Sequence, residues 1–483
     1  MLEPFVAGLV KFLKVYRFNA SSVVFELIAS LFFILSGVLV CFGLIHYTNS
    51  VFFLSLLAVC AFLSFSYRKD LYLLTLCFFI IFNIRGELFG FPVQAWEAVA
   101  LPIFVHSAIN TRYWLVYNKR DSLKFILAAF CFVSFLSGLY NWTGGAMIKS
   151  LLRWFEFFCL YLSFRYHFKF DFLSSSIVKL FIAPFLLLLL LSSAQFFIFG
   201  PGWLDIMASD IGGMLYGVDE VANRLESNNY IYKDQTIRAM GVYISPPALA
   251  FVCGMVLIVL FYSSSLAIYK LLLALPVFIV MLLTMGRSGL LYMLVSLTVV
   301  NVMYKRQYMF VLYSALGLAL AMIVAPIRER LFSLLEAGAE VERVLIWETM
   351  LNIWKSSPIF GVGGGQIPVL FNSFASVDWL VDRQGVSHSA YFGILAEYGI
   401  LGLSLYALLI YVVLRSGFKV TTSLASRHHF AQVCLALYAG MLSISADLYQ
   451  AGNTAFVLFI IFVSSNERHL STLRGINAQG SRV

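Results

Sequence analysis

Residues 242–262 read VYISPPALAFVCGMVLIVLFY, a run of 21 residues without one charged side chain. A helix needs about 20 apolar residues to cross the roughly 30 Å hydrocarbon core of a bilayer. Lipid offers no partner to an unpaired backbone N–H or C=O group, so a spanning segment must form its hydrogen bonds internally. This stretch therefore predicts one transmembrane helix.

Thirteen other apolar runs predict helices of the same kind. They lie at 23–45, 51–66, 71–83, 93–109, 123–140, 151–164, 176–199, 266–284, 289–304, 308–326, 391–414, 430–447 and 452–465. The first run is too long for the apolar core of a cleavable signal. We expect an all-α fold, a polytopic membrane helix bundle with about 14 transmembrane helices (12–14).

The composition excludes the other broad classes of protein. Of 483 residues, 61% are hydrophobic and only 12% are charged, whereas an ordinary globular protein has about 25% charged residues. The net charge is +9, but no basic run with interleaved aromatic residues predicts a nucleic-acid surface. All seven cysteines lie in apolar runs without a CxxC pair, so we expect neither a metal site nor disulfides.

The positions of the basic residues predict the orientation. The N-terminal stretch, every second short loop and the C-terminal tail together hold 20 of the 33 lysine and arginine residues. Short loops that are rich in lysine and arginine stay in the cytoplasm. Both termini are therefore expected on the cytoplasmic side.

Two long loops, 200–240 and 327–390, fall on the opposite side and hold 13 of the 24 acidic residues. The predicted organisation has five regions. They are N-terminal transmembrane helices (1–199), a first long loop (200–240), central transmembrane helices (241–326), a second long loop (327–390), and C-terminal transmembrane helices with a tail (391–483). Long loops are uncommon and usually functional. A transporter would be expected to show two related halves, and the sequence shows no internal repeat, so we expect the function on the external side.

The second long loop predicts an amphipathic helix at 340–355, followed by a glycine-rich turn. The apolar residues recur at helical spacing, with tryptophans suited to the membrane interface. They are Val344, Trp347, Leu351 and Trp354. The turn, GVGGG at 361–365, lacks the Lys-Ser/Thr of a phosphate-binding P-loop. It predicts either a tight turn that approaches another element or a ligand, or a plain flexible loop.

Three residues of the external side are candidates for chemistry. His388 comes just before a predicted span, and histidine can accept a proton near neutral pH. Arg238 ends the first long loop, and Arg287 lies in a short turn at the membrane surface. Guanidinium groups bind phosphate oxygens with two parallel donors. A structural role for the histidine and contact with lipid headgroups for each arginine are the alternatives.

Several of these segments resemble the bacterial O-antigen ligase and O-antigen polymerase superfamily. The similarity covers 236–403 and is carried by PIFGVG at 358–363, HS at 388–389 and ILAEYGILGL at 394–403. Arg238 with Gly241 and Pro246 resembles the family's Arg-x-x-Gly…Pro segment, and TMGRSG at 284–289 resembles its arginine–serine turn. Ser389 replaces the usual asparagine, and the order Arg287-Ser288 reverses the commoner one.

The resemblance implies a metal-independent glycosyltransferase without a cofactor, in the bacterial inner membrane with its active site facing the periplasm. Its donor would be a glycan linked to undecaprenol through a diphosphate. Arg238 and Arg287 would bind the diphosphate, and His388 would act as the general base. Glu397, Gly363 and Ser389 would have supporting roles, Glu397 by anchoring the external loops.

The resemblance leaves the acceptor open. A polymerase adds the glycan to another lipid-linked repeat of O-antigen, capsule or exopolysaccharide, whereas a ligase transfers it to lipid A core. The length of the chain, the predicted span count and the long first external loop favour a polymerase. Other polysaccharide assembly proteins are expected partners. A flippase of lipid-linked glycans is a third alternative, although the predicted spans hold few charged residues, mainly Glu26, Glu97 and Glu156.

Overall fold

The computed structural model describes residues 61, 65, 69–82, 85–88, 91–110, 121–168, 175–199, 203, 231–232, 236–241, 243, 246–263, 267–305, 307–323, 328, 341–377, 387–418, 425–446 and 454–464. These residues are mainly helical. The helices are α1 (Lys69–Phe82), α2 (Ala95–Ile109), α3 (Ser122–Tyr140), α4 (Gly145–Leu162), α5 (Ser175–Ala194), α6 (Pro246–Tyr262), α7 (Ala267–Leu283), α8 (Arg287–Lys305), α9 (Met309–Ile323), α10 (Val341–Ser356), α11 (Ile367–Phe374), α12 (Ala390–Phe418), α13 (Ala425–Ser445) and α14 (Thr454–Val463). Two π-helical turns, Ser163–His167 and Gln195–Phe199, extend α4 and α5.

Twelve of the fourteen predicted spans coincide with a helix, namely α1–α9 and α12–α14. The predictions at 23–45 and 51–66 lie outside the described residues, apart from the isolated Ala61 and Phe65. Helix α4 begins at Gly145, six residues earlier than predicted. The apolar pattern misplaced this boundary because a tight turn, with Gly144 at φ +57°, separates α3 from α4.

By length and composition, α3 could cross a membrane, and the Ala390–Arg415 part of α12 is also long and apolar enough, although it breaks at Gly399. Shorter apolar helices accompany them in the described ranges. These are Tyr72–Ile81, Ala95–Ile109, Phe185–Phe199, Pro246–Tyr262, Leu273–Leu283, Arg287–Met303, Met309–Ala319 and His429–Ser445. The described part of the chain is thus a bundle of apolar helices, and the number of membrane crossings stays a prediction.

Two short antiparallel hairpins interrupt the helices, which the expectation of an all-α fold did not include. Strand β1 (Arg85–Leu88) pairs with β2 (Phe91–Gln94), and β3 (Ile231–Tyr232) pairs with β4 (Thr236–Ile237). The first hairpin joins α1 to α2, and the second leads directly into Arg238. Strands of two to four residues are too short to show an alternating apolar pattern in the sequence.

The main core is built from antiparallel helix pairs. Helices α3 and α4 pack along their length, with the ring of Trp154 stacked on that of Phe130 at a centroid distance of 3.9 Å. Helices α12 and α13 form a second pair, and α13 also packs against α6 and α8. Because α13 contacts all three of these helices, it links the segments that carry the candidate residues.

A smaller core lies over the start of α12, between it and helices α10 and α11 of the second long loop. Helix α10 forms where the amphipathic helix was predicted, but its buried face differs from the predicted apolar stripe. Val344 of that stripe is exposed, and the stripe's other residues are only half-buried. The buried side chains of α10 are Ile346, Thr349, Met350 and Ile353.

Helix α12 is not the straight span predicted at 391–414. It breaks at Gly399, which has φ +66° and ψ −163°, into an N-terminal segment (390–398) and a C-terminal segment (400–418). The rings of Tyr391 and Tyr406 lie 5.7 Å apart, whereas 15 residues would extend about 22 Å in a straight helix. The N-terminal segment therefore folds back towards the C-terminal one.

Candidate active site

The glycine turn (361–365) supplies donors to the carbonyl groups that the break in α12 leaves unpaired. In a regular helix the carbonyls of Ala396 and Glu397 would accept from the amides four residues later. Here Val362 N donates to Ala396 O at 2.9 Å, and Gly363 N donates to Glu397 O at 3.0 Å. The turn thus replaces the two missing helical donors.

The chain just before the glycine turn supplies the matching acceptors. Ile400 N donates to Pro358 O at 3.0 Å, and Leu401 N donates to Ile359 O at 3.5 Å. Residues 358–363 therefore pair with both sides of the break. Because buried backbone groups must be paired, this segment and the broken helix require each other.

Only glycine fits at the point where the two chains cross. Gly361 has φ +69°, and a Cβ atom there would overlap the backbone of Glu397. A Cβ atom on Gly399 would likewise overlap the carbonyl of Ile359. Glycine has no Cβ and adopts positive φ readily. The motifs at 358–363 and 394–403 therefore meet at Gly361 and Gly399.

Helices α3 and α4 hold the same region from the other side. Ser137 Oγ donates to Glu397 O at 2.8 Å, and Asn141 Nδ2 donates to Gly361 O at 2.8 Å. Gly363, at φ +99°, packs against the side chain of Thr143. The α3–α4 hairpin therefore fixes both the glycine turn and the break in α12.

Glu397 lies inside this arrangement and is only 5% exposed. Its Oε1 atom accepts a hydrogen bond from Gly365 N at 2.8 Å. The neighbouring Tyr398 hydroxyl is 2.7 Å from Ser150 Oγ on α4, which is in turn 2.7 Å from Ser134 Oγ on α3. The carboxylate of Glu397 thus ties the glycine turn to α12, at the place where the sequence suggested an anchor.

Two of the charged residues noted within the predicted spans belong to one ion-pair cluster. Arg153 Nη1 of α4 lies 2.6 Å from Glu97 Oε1 of α2 and 3.0 Å from Glu156 Oε2. Glu97 Oε2 also accepts from Gln94 N at the start of α2. The two carboxylates therefore flank a guanidinium between α2 and α4. Glu26 lies outside the described residues.

His388 is exposed just before α12 and has φ +50°, a strained value for a residue other than glycine. Its neighbours are buried. Ser387 Oγ donates to Ser389 O at 2.8 Å, and Ser389 Oγ donates to Ser443 O of α13 at 3.0 Å. Ala390 N donates to Ala446 O at 2.9 Å. The buried serines hold the backbone in a conformation that presents the imidazole at the surface.

The arginine turn (284–289) carries Arg287 and is hydrogen-bonded to the segment that carries Arg238. Arg238 is buried, at 7% exposure, and its Nε atom donates to Thr284 O at 3.0 Å. Arg287 comes three residues later, as the first residue of α8. Ala239 N also donates to Leu283 O at 3.0 Å. Two hydrogen bonds thus join the end of the first long loop to the end of α7 and the turn that carries Arg287.

Two helix N-termini meet beside the arginine turn. Helix α6 begins at Pro246 and α8 begins at Arg287. Cβ atoms placed on Gly286 and Gly289 would lie 2.8 and 2.9 Å from the Cβ of Ala250, in the second turn of α6. The glycines therefore allow the starts of the two helices to approach closely. Backbone N–H groups and the helix dipole make a helix N-terminus favourable for anions. Helix α6 begins with Pro246 and Pro247, which have no N–H group, so the free N–H donors at this place come mainly from α8.

Helix α13 connects the arginine turn with His388. The hydroxyl of Tyr438 lies 3.5 Å from the carbonyl oxygen of Ala250 beside the arginine turn. About 8 Å further along α13, Ser443 accepts the hydrogen bond from Ser389. The arginine turn and the backbone next to His388 therefore both approach the second half of α13, which runs from Ala425 to Ser445. Gly363 and Glu397 form a separate group at the other end of the N-terminal segment of α12.

The structure adds polar residues that the sequence did not single out. They are Ser137, Asn141 and Ser150 around the glycine turn, and Gln195 beside Arg238. None of these residues belongs to a motif that the sequence analysis identified. Within the described residues, no group of three or more His, Cys, Asp or Glu side chains is placed to hold a metal ion.

A comparison with protein families supports the resemblance seen in the motifs. Residues 271–407 match the family model described as O-antigen ligase. This interval contains the arginine turn, the glycine turn and His388, whereas Arg238 lies upstream of it. The resemblance is therefore confirmed over these residues. No curated protein matches the chain.

Proposed function

We propose, from the match of residues 271–407 to the O-antigen ligase family model, a family of membrane proteins, that this chain is a periplasmic-face glycosyltransferase of the bacterial inner membrane. It transfers a glycan from undecaprenyl diphosphate to the hydroxyl group of an acceptor sugar, without a metal ion or cofactor. Both termini lie in the cytoplasm. The bilayer supplies the lipid-linked donor.

The observation that carries this proposal is the hydrogen bond from Arg238 to Thr284 in the arginine turn. It brings the segment of Arg238 to the turn that carries Arg287 at the N-terminus of α8, although Arg238 and Arg287 are 49 residues apart in sequence. Positive groups of this kind bind phosphate oxygens and stabilise the charge of a departing diphosphate. This place therefore suits the leaving group of the donor.

His388 acts as the general base in the proposed reaction. Its imidazole takes the proton of the acceptor hydroxyl as the oxygen attacks the anomeric carbon of the donor. The bond from that carbon to the diphosphate oxygen breaks, and undecaprenyl diphosphate leaves with the electron pair. The imidazolium then releases its proton to water. This role is supported by the exposure of His388, and by the contact of its neighbour Ser389 with the same half of α13 that the arginine turn approaches.

Glu397, Gly363 and Ser389 act indirectly. Glu397 and Gly363 keep the glycine turn docked on α12, and Ser389 fixes the backbone next to His388 through Ser443. These contacts support positioning roles, because each secures the main chain rather than extending towards the surface.

Polymerisation of O-antigen, capsule or exopolysaccharide repeats is the activity we favour, with ligation to lipid A core as the alternative. The length of the chain and its long first external loop support a polymerase. A flippase is the third candidate. Transport pathways usually rely on charged residues within the membrane. Here Arg153 is paired with Glu97 and Glu156, which favours a structural role for these charges over a transport role.

Deletion of the gene, followed by electrophoresis of the surface polysaccharide, tests the proposal and separates the candidates. A polymerase defect leaves core molecules that carry a single repeat. A ligase defect removes all attached chains while lipid-linked polymer accumulates. An unchanged polysaccharide pattern would contradict the proposal, and repeats trapped on the cytoplasmic face would indicate a flippase.

A further inference from the structure

Gln195 begins the π-helical turn at the end of α5 and is fully buried. Its Oε1 atom accepts hydrogen bonds from Met240 N at 3.0 Å and from Gly241 N at 2.8 Å. Among the residues that the structure describes, its Nε2 amide has no hydrogen-bond partner. A buried donor without a partner is unfavourable. The Nε2 group of Gln195 therefore needs an acceptor that the described residues do not supply.

The orientation of the Gln195 side-chain amide is fixed by the two backbone N–H groups, of Met240 and Gly241, that donate to its oxygen. Exchanging the oxygen and nitrogen would point the NH2 group at two backbone N–H groups, and three donors cannot satisfy one another. The oxygen must therefore face Met240 and Gly241. The NH2 group consequently stays beside this backbone with both hydrogens available.

This backbone is the segment that carries Arg238. Met240 and Gly241 follow Arg238 by two and three residues, and Arg238 is itself bonded to Thr284. Gly241 has φ +58°, and a Cβ atom there would lie 2.7 Å from Ser192 Oγ of α5. Helix α5 and the 238–241 segment are thus in direct contact, so Gln195 lies next to the place assigned to the donor diphosphate.

We propose that Gln195 is a further binding and positioning residue of the donor site, with Oε1 holding the 238–241 segment and Nε2 donating a hydrogen bond to an oxygen of the diphosphate. This inference rests on the proposed function. A neutral amide adds a donor without adding charge, and phosphate oxygens accept such bonds readily. The diphosphate thereby supplies the hydrogen-bond acceptor for the buried NH2 group of Gln195.

The decisive variant is Gln195→Glu, tested for binding of undecaprenyl diphosphate by the protein in lipid nanodiscs. A carboxylate still accepts from Met240 N and Gly241 N, but it replaces the NH2 donor with a negative oxygen. We expect binding about 10–100-fold weaker, the loss typical of a hydrogen bond to a charged group. Lowering the pH should restore part of the binding, because the protonated carboxyl group regains one donor.

A matched control separates ligand contact from the cost of a buried carboxylate. Gln432→Glu changes another buried glutamine, on α13 and 6% exposed, and should leave binding unchanged. Gln195→Met, of similar size and without an N–H donor, should weaken binding without the pH-dependent recovery. If the glutamate variant does not fold, Gln195→Met still shows whether the NH2 group of Gln195 contributes to binding.

The outcomes distinguish this inference from the proposed function. If the wild-type protein does not bind undecaprenyl diphosphate, the proposed function fails. If the wild type binds but Gln195→Glu and Gln195→Met bind equally well per folded molecule, Gln195 only packs the end of α5 and the inference is overturned.

Discussion

Replacing Gly361 with alanine tests the docking of the glycine turn on α12. The new Cβ atom would overlap the backbone of Glu397, and the residue would have to keep φ +69°. The turn must therefore move away from α12. Movement would break the bonds from Val362 N to Ala396 O and from Gly363 N to Glu397 O.

The size of the expected loss in stability follows from these broken contacts. An alanine at positive φ costs about 1 kcal/mol or more relative to glycine, and each lost backbone hydrogen bond costs a net of about 1 kcal/mol. With two such bonds, we expect Gly361→Ala to lower the free energy of unfolding by about 3 kcal/mol. Such a loss is a large fraction of the stability of a typical protein.

Thermal unfolding of the detergent-purified protein, at one fixed scan rate, measures this effect. Gly145→Ala is the matched control, because a Cβ atom at Gly145 meets nothing within 4 Å and its φ is not positive. The control should unfold like the wild type, and Gly361→Ala should unfold several degrees lower with reduced transferase activity. Equal unfolding temperatures for both variants and the wild type would refute the reasoning.

Two further predictions concern the donor site and the orientation. Arg238→Ala should lower turnover much more than protein level, and the double variant Arg238→Lys with Arg287→Lys should recover only part of it, because lysine lacks two-pronged geometry. Full activity of the double lysine variant would indicate that both residues contact lipid headgroups and that neither binds the diphosphate with two parallel donors. Cysteines introduced at Asp219 and Gly338 should react with a reagent confined to the periplasm, and one at Arg427 should not. Equal labelling at the three positions would reverse the assigned orientation.

The existence of the helices could be predicted from the sequence because long apolar runs have few alternatives in a membrane. The break in α12 could not. Gly399 lies inside the predicted span 391–414, where Glu397 is the only charged residue, and glycine is common in transmembrane helices. The segment that makes the break possible is about 40 residues upstream, so no local pattern shows the pairing.

The candidate site residues were chosen from the sequence, but their geometry could not be predicted from it. A resemblance in motifs pointed to His388, Arg238 and Arg287, yet the bond that brings Arg238 to the arginine turn spans 46 residues. Gln195 could not be singled out, since a lone amide after a run of leucines has no periodic or motif signal. Its meaning depends on Met240 and Gly241, which only tertiary structure brings to it.

The most direct measurement compares turnover and donor binding for His388 variants of the purified protein with an undecaprenyl-diphosphate-linked glycan. His388→Asn is the key variant, because asparagine tolerates positive φ but cannot serve as a base. If His388 removes the proton of the acceptor, this variant should lose about 10²–10⁴-fold in turnover. Donor binding and the unfolding temperature should stay as in the wild type, whose activity should fall in acid as imidazole becomes protonated. Normal specific activity in His388→Asn, with normal donor binding, would contradict the assignment of His388 as the general base.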